Sequence, residues 1–291
     1  MKFAWPGGAR AACAVTFDVD AESAILAVDA RFAARASTMS HQAYGPKVGV
    51  PRLLGVLERA GVHATFFVPG FTARRYPDTV RAVVAAGHEV GWHNDLHEPP
   101  YTLSEAEERA ILERGAEVLE PLTGYRPRGY RAPWWELNER TPELLAAAGF
   151  AYDSSLMDDD VPYRLSTAAG VLIELPVHWS LDDWEQYAFL PEPDIGRLIE
   201  TPGKVLELWT GELDAMRDEG CLLVVTMHPF LSGRPARAKA LGEFLARVRG
   251  RGDVWLARAG EIADHAEASI AAGECRTIDL PAIGRGLHSP G

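Results

Sequence analysis

Two histidines, His93 and His97, stand four residues apart in Gly91-Trp92-His93-Asn94-Asp95-Leu96-His97-Glu98. Neutral imidazole is the commonest metal-binding side chain, and three intervening residues let both rings reach one ion from a single turn of backbone. The pair alone is a weak signal, because histidines at this spacing also sit unliganded on solvated helices. Its weight comes from two aspartates earlier in the chain. Asp18 and Asp20 close an apolar run, and a period of two sends both side chains to one face, away from Phe17 and Val19. Two carboxylates aimed into one mouth are costly unless a cation or an arginine neutralises them. For Asp20 the bland alternative is a helix cap. One carboxylate with two histidines gives three protein ligands with positions left open for water and substrate, as in a catalytic zinc-type site. The second carboxylate is then free to act as a base on the activated water.

The elements that must position these groups alternate along the chain. Apolar runs at Ala11 to Phe17 and Ala64 to Val68 read as the first two strands, and Glu89 to Trp92 as the third. Strand four is expected at Gly129 to Arg131, strand five at Phe150 to Asp153 and strand six at Val171 to Val177. Strand seven is Cys221 to Met227, the most apolar of the set, and a last strand lies near Val254 to Leu256. Helical stripes fall between them. Val50, Leu53, Leu54 and Leu57 form one; Tyr76, Val80, Val83 and Val84 form another that ends at Gly87. Ser104 with Glu107 makes a capping box for a helix that stops at Gly124, and Asn138 is placed to cap the helix holding Leu144 and Leu145. Two further helices carry Val205 to Met216 and Leu241 to Val248, and a final one follows Arg258.

Seven or eight βα units without a linker of domain-separating composition predict an α/β chain folded as one distorted (β/α)7-8 barrel over residues 1–272, with 273–291 as a C-terminal surface arm. A doubly wound open sheet is the alternative. Asp18-Val19-Asp20-Ala21-Glu22 after the first strand would repel a pyrophosphate and argues against it. In the barrel reading Asp18, Asp20, His93, His97, Arg131, Asp153, His178 and His228 all fall at the C-terminal ends of strands, the rim that carries active sites in such barrels. The connection from Ala21 to Gly45 is long and is expected to act as a lid.

Composition excludes several partners. The net charge of −12, from 41 acidic and 29 basic side chains, opposes phosphate backbones and anionic lipid, so neither nucleic acid nor a membrane surface is expected. Cys13, Cys221 and Cys275 show no metal-type spacing. The N-terminal residues hold no apolar stretch of signal-peptide length, and no apolar run reaches 18 residues, from which a cytoplasmic location is expected.

Five short motifs resemble, in order, those of the polysaccharide deacetylases, also called NodB-homology or carbohydrate esterase family 4 enzymes. They are Thr16-Phe17-Asp18, His93 to His97, Arg131-Ala132-Pro133-Trp134, Asp153-Ser154-Ser155 and Val225-Thr226-Met227-His228. The resemblance spans about residues 11 to 230. It implies a (β/α)7-type barrel and metal-dependent hydrolysis of a non-peptide C–N bond. It implies that Asp18 is the base, that Asp20, His93 and His97 hold a divalent ion, most often zinc, and that Arg131 orients the base. The Trp134 N–H would serve the oxyanion, and His228 would be the general acid. Trp134, Trp135, Asp153, His178 and Trp179 are the candidates for substrate contact. Val19 separates aspartates that typical members hold adjacent, which leaves the division of labour between Asp18 and Asp20 open. With Val177-His178-Trp179-Ser180-Leu181-Asp182-Asp183-Trp184, these departures resemble the intracellular branch, which includes peptidoglycan-deacetylase-like proteins, cyclic imide hydrolases and allantoinase-like amidases.

The expected function is therefore a metal-dependent amide or imide hydrolase acting on a small molecule or glycan, with homo-oligomerisation open. Against it stand a metal-independent ring amidase using the same side chains, and a silent barrel that only binds a sugar or an ion. An intact Asp18, Arg131 and His228 disfavour the silent barrel, since a pure binder needs no acid–base pair.

Overall fold

A computed structural model describes residues 3–196, 198–271 and 277–278. Its centre is one curled sheet. The strands are β1 (Ala11–Asp18), β2 (Thr65–Val68), β3 (Glu89–Trp92), β4 (Gly129–Tyr130), β5 (Tyr152–Asp153), β6 (Tyr163–Leu165), β7 (Leu172–Glu174), β8 (Leu222–Met227), β9 (Val254–Ala257) and β10 (Thr277–Ile278). Spatial order runs β10-β6-β7-β5-β4-β3-β2-β1-β8. All pairings between these strands are parallel except β6 with β7. This is the α/β, barrel-like architecture expected from the alternation of strands and helices, with the sheet left open as a curled half-barrel.

β1 is the hub. It is buried along its whole length, as a strand covered on both faces must be. β8 lies along one edge, in register from Ala12 opposite Leu222 to Phe17 opposite Met227. The opposite edge is shared: β9 pairs with Ala11 to Ala14, and β2 pairs with Thr16 to Asp18. Residues 182 and 183 cover the far edge of β8, through a parallel bridge from Asp182 to Thr226 and an Asp183 N–H to Thr226 carbonyl bond of 3.0 Å. This strip of chain stands where a closing strand of a full barrel would lie.

Helices follow the strands much as their apolar stripes predict. Val50–Ala60 buries Val50, Leu53, Val56 and Leu57 and ends at Gly61 in the left-handed region. Glu105–Thr123 begins with the expected capping box, Ser104 with Glu107, and ends at Gly124 with φ 80°. The Asn138 cap is not formed. The helix Thr141–Ala147 has Arg140 at its N-cap, and the Asn138 amide donates to the Pro100 carbonyl at 2.6 Å and to Glu108 at 3.2 Å. The expected sixth strand is also shorter, and it pairs with β6, which the sequence pattern does not announce.

The segment after β1 folds as the helices Ser23–Val28 and Ala36–Tyr44 joined by a 3-10 turn, Ala30–Ala34. Ile25 and Phe32 pack with Leu190 in a small apolar cluster of their own, and Arg35 pairs with Glu192 at 2.7 Å. None of residues 21–45 lines the cavity described below. Of the expected arm at 273–291, Thr277–Ile278 pairs with β6 as an edge strand; the rest lies outside the described residues. No helix among the described residues is long and apolar enough to cross a membrane.

Candidate active site

The strand ends deliver Asp18, His93, Arg131 and His228 to one rim, each at or directly after the last residue of its strand. Asp20 follows two residues after β1 and is 1% exposed. Its Oδ1 faces His93 Nε2 at 3.4 Å, and its Oδ2 faces His97 Nε2 at 3.7 Å and His228 Nε2 at 3.6 Å. Among the described residues neither Asp20 oxygen has a hydrogen-bond partner. Buried carboxylate oxygens that face three imidazole nitrogens without making a hydrogen bond keep lone pairs open for a ligand.

The histidines are presented as ligands. His93 Nδ1 lies 2.7 Å from the Arg131 backbone carbonyl oxygen. A carbonyl only accepts, so Nδ1 carries a proton and Nε2 is the ring atom that faces Asp20. Burial, above all, holds the His97 pKa down at about 4, so its ring is neutral at pH 7. Burial alone would raise the Asp20 pKa, but His97, His93 and His228 together hold it below the usual carboxylate range. Two imidazoles and one carboxylate within reach of each other form a donor set that fits a divalent ion of the zinc type.

His93 and His97 sit on a loop rather than a helix. Asn94 and His97 both take positive φ, 58° and 62°, and this folds the loop so that the two rings stand 4.8 Å apart at 78°. Asn94 is locked by the Tyr130 hydroxyl at 3.0 Å and by its own bond to the Glu98 carbonyl at 2.7 Å. Ala21, Asn94, His97, Trp134 and Trp135 are the non-glycine residues with positive φ among those described. Each is a site residue or directly follows one. Left-handed backbone costs of order 1–3 kcal/mol at a non-glycine residue, and its concentration here marks a functional constraint.

Asp18 turns the other way. Its Oδ1 accepts from Arg131 Nη1 at 3.0 Å. Arg131 is 0% exposed, and it also donates to the Thr16 hydroxyl at 2.8 Å and to the Ser154 carbonyl and hydroxyl, both at 2.9 Å. The guanidinium lies 4.3 Å above the Phe67 ring. Thus the geometry separates the aspartates: Asp20 belongs with the histidines and Asp18 with the arginine. Sequence alone left that division open.

After Arg131 the chain makes a tight turn. The Trp135 N–H donates to the Ala132 carbonyl at 3.0 Å, and the Glu136 N–H donates to the Pro133 carbonyl at 3.4 Å. The Trp134 N–H takes part in neither bond. Asp153, wholly buried, does not reach the cavity. It accepts from the Ser155 hydroxyl at 2.8 Å, and that hydroxyl in turn accepts from the Ala132 N–H at 2.9 Å. Glu174 supports the same segment, accepting at 2.9 Å from both the Ser155 and the Leu156 N–H. Burial, then the neighbouring Asp153, pushes the Glu174 pKa well above its ordinary value, and burial raises Asp153 as well, so the two share a proton. Asp153 and Glu174 therefore shape the turn from beneath.

His228 donates its backbone N–H to Asp183 Oδ1 at 2.9 Å and brings its ring Nδ1 within 2.8 Å of the same oxygen. Burial would depress the His228 pKa, but Asp182 and Asp183 overcome it and raise the value to about 10, leaving the ring protonated at pH 7. Asp182 stands 3.5 Å from His228 Nδ1, and burial raises its own pKa to about 8. Ser232 donates its hydroxyl to the second Asp183 oxygen. The sequence reading quoted the Asp182-Asp183-Trp184 run only as a branch signature and missed its contact with His228.

A cavity of about 70 Å³ opens on Asp18, Asp20, His93, His97 and His228. Its walls include Trp134, Trp135, Trp179 and Trp184, with Asp182 and Glu185. Trp135 stacks on Trp179 at 4.5 Å, and Trp184 meets both Trp134 at 5.4 Å and His228 at 5.0 Å. His178 is not brought to the cavity. Its side chain is exposed, and Nδ1 lies 2.7 Å from the Ser180 hydroxyl.

The geometry agrees with relationships to known proteins. The family described as Polysaccharide deacetylase matches residues 43–152. A peptidoglycan deacetylase from Helicobacter pylori is 32% identical over 223 residues, covering 68% of this chain and 76% of that protein. This chain belongs to the polysaccharide deacetylase family. A crystal structure from Mycobacterium smegmatis assigned to the polysaccharide deacetylases is 54% identical, with a TM-score of 0.92 and 96% of each chain covered. A PuuE allantoinase structure is 28% identical, with a TM-score of 0.80, 92% of this chain and 94% of that chain covered. The protein is accordingly a deacetylase-family hydrolase acting on C–N bonds other than peptide bonds.

Proposed function

We propose that this polysaccharide deacetylase family member is a divalent-metal-dependent amidohydrolase of small soluble amides, with Asp20, His93 and His97 holding the ion. The observation that carries this reading is the pair of buried Asp20 oxygens, without a hydrogen bond among the described residues, facing the Nε2 atoms of His93 and His97, while the Nδ1 of His93 is turned to the Arg131 carbonyl. Zinc suits two nitrogens and one carboxylate oxygen. When bound, such an ion supplies Lewis-acid polarisation of water and of the scissile carbonyl.

The chain's own residues supply the rest. Asp18, steadied by Arg131, takes the proton from the attacking water. The Trp134 N–H, which takes part in neither bond of the turn, is the donor for the negative charge that develops on the carbonyl oxygen. His228, protonated through its contacts with Asp182 and Asp183, gives its proton to the departing nitrogen. Base and acid are thus set apart by their neighbours, one beside an arginine and the other beside two carboxyls. A cavity of about 70 Å³ walled by indoles favours a compact acyl or ring amide over a polymer chain.

The structural likeness to an allantoinase makes a ring amide or ureide the second reading of the same site. Metal-loaded protein assayed against N-acetyl sugars, cyclic imides and ureides tests both. Hydrolysis of a member of the panel that is lost on chelation supports the proposal. Full hydrolysis after chelation supports a ring amidase that works without metal, and turnover confined to polymeric glycan contradicts the small-substrate assignment.

A further inference from the structure

One wall residue has no part in the chemistry above. Glu185 lines the cavity together with the indoles of Trp134, Trp135, Trp179 and Trp184. It sits on the short helix Trp184–Tyr187, and it is exposed at the mouth while Asp18, Asp20 and Asp182 are buried deeper. Those three carboxyls already have neighbours, in Arg131, the histidine cluster and His228 respectively. No hydrogen bond or ion pair holds Glu185 among the described residues. Among the described residues no lysine or arginine lines the cavity.

A carboxylate and indoles that line one cavity are the chemistry that recognises a cation. Ring faces attract ammonium groups through their quadrupole, and a nearby anion completes the binding. The chain's net charge of −12 draws such molecules in from a distance. Four cavity residues, Trp179, Asp182, Trp184 and Glu185, come from the short stretch of chain that includes the strip covering the edge of β8. This stretch therefore builds the wall that meets the part of the substrate beyond the scissile bond.

We infer that Glu185 is a specificity-determining residue and that the substrate is a small amide carrying a protonated amine a few bonds from the scissile carbon–nitrogen bond. The inference rests on the amidohydrolase reading for its chemistry, but its binding half stands apart from turnover. A suitable probe is N-acetyl-1,4-diaminobutane. N-Pentylacetamide is its neutral counterpart, with a methyl group in place of the ammonium.

The test uses metal-loaded full-length protein. Binding of both amides is measured by calorimetry, and their hydrolysis by amine release, for the parent protein, Glu185→Gln and Glu185→Lys. The parent should bind the cationic amide about tenfold more tightly than the neutral one, and the advantage should shrink in high salt. Glu185→Gln should erase it by raising Kd and KM for the cationic amide about tenfold, with kcat nearly unchanged and the neutral amide unaffected. Glu185→Lys should reverse the preference, toward N-acetyl-4-aminobutyrate. Equal affinity of the parent for the charged and neutral amides would overturn the inference. So would a Glu185→Gln effect of the same size on both, as would a preference in the parent for an uncharged ureide. Charge-selective binding without hydrolysis of either amide would uphold the role of Glu185 and count against the amidohydrolase reading instead.

Discussion

Arg131 and His93 are joined by a 2.7 Å bond from the imidazole Nδ1 to the arginine's backbone carbonyl, while the arginine's guanidinium holds Asp18 at 3.0 Å. One residue thereby fixes the tautomer of a candidate metal ligand with its main chain and the position of the candidate base with its side chain. The two halves of the site cannot drift apart without breaking one of these bonds.

Replacing that side chain separates the two duties. Arg131→Met keeps the backbone carbonyl for His93 but leaves Asp18, the Thr16 hydroxyl and the Ser154 carbonyl buried without their partner. Breaking a buried pair from one side costs about 3–5 kcal/mol, which urea denaturation would register. Activity should fall steeply while the metal stays bound. Retention of full stability would show that Asp18 finds another partner.

The carboxylate behind His228 is the next point to test. Asp183→Asn keeps the shape of the side chain and removes its charge from the 2.8 Å contact with His228 Nδ1. General acid catalysis is worth about 10²–10⁴-fold, so kcat should drop toward the lower end of that range with KM and metal content little changed. Unchanged kcat would remove His228 from the role of proton donor.

Glu174 gives a pH test of the support beneath the turn. Its pKa is raised well above the ordinary value in the folded protein, so the folded state binds a proton that the unfolded chain releases near pH ~4. The stability this contributes is complete below that unfolded value and is lost as pH rises through the folded one. Glu174→Gln keeps an oxygen for the Ser155 and Leu156 N–H groups and removes the titration. Relative to the parent, its Tm should therefore rise steadily as the pH is taken from acid to alkaline. A Tm difference that does not depend on pH would contradict the shared proton.

Much of this site was legible because strand ends carry it. Asp18, His93, Arg131 and His228 close or follow apolar runs whose period is plain, and the motif spacing pointed to Asp20 and His97. The supporting residues were not legible in the same way. β6 and β7 are three residues each, too short for a period of two to stand out. The expected strand six ran on to Val177 and so put His178 at the rim; β7 stops at Glu174, and His178 ends on the surface against Ser180. Asp182 and Asp183 lack any alternation because they are an edge strip rather than a strand, and their contact with His228 spans 45 residues of sequence. The roles of Glu174 and Ser155 lie entirely in tertiary hydrogen bonds, which local pattern does not encode.

The central claim, that Asp20, His93 and His97 hold a catalytic divalent ion, is tested most directly by metal analysis of the purified protein beside His93→Ala. The account predicts about one ion per chain in the parent, zinc foremost, and loss of both the ion and amide hydrolysis in the variant, with the fold retained by circular dichroism. Full hydrolysis by His93→Ala, or by the parent after the ion has been stripped, would contradict it.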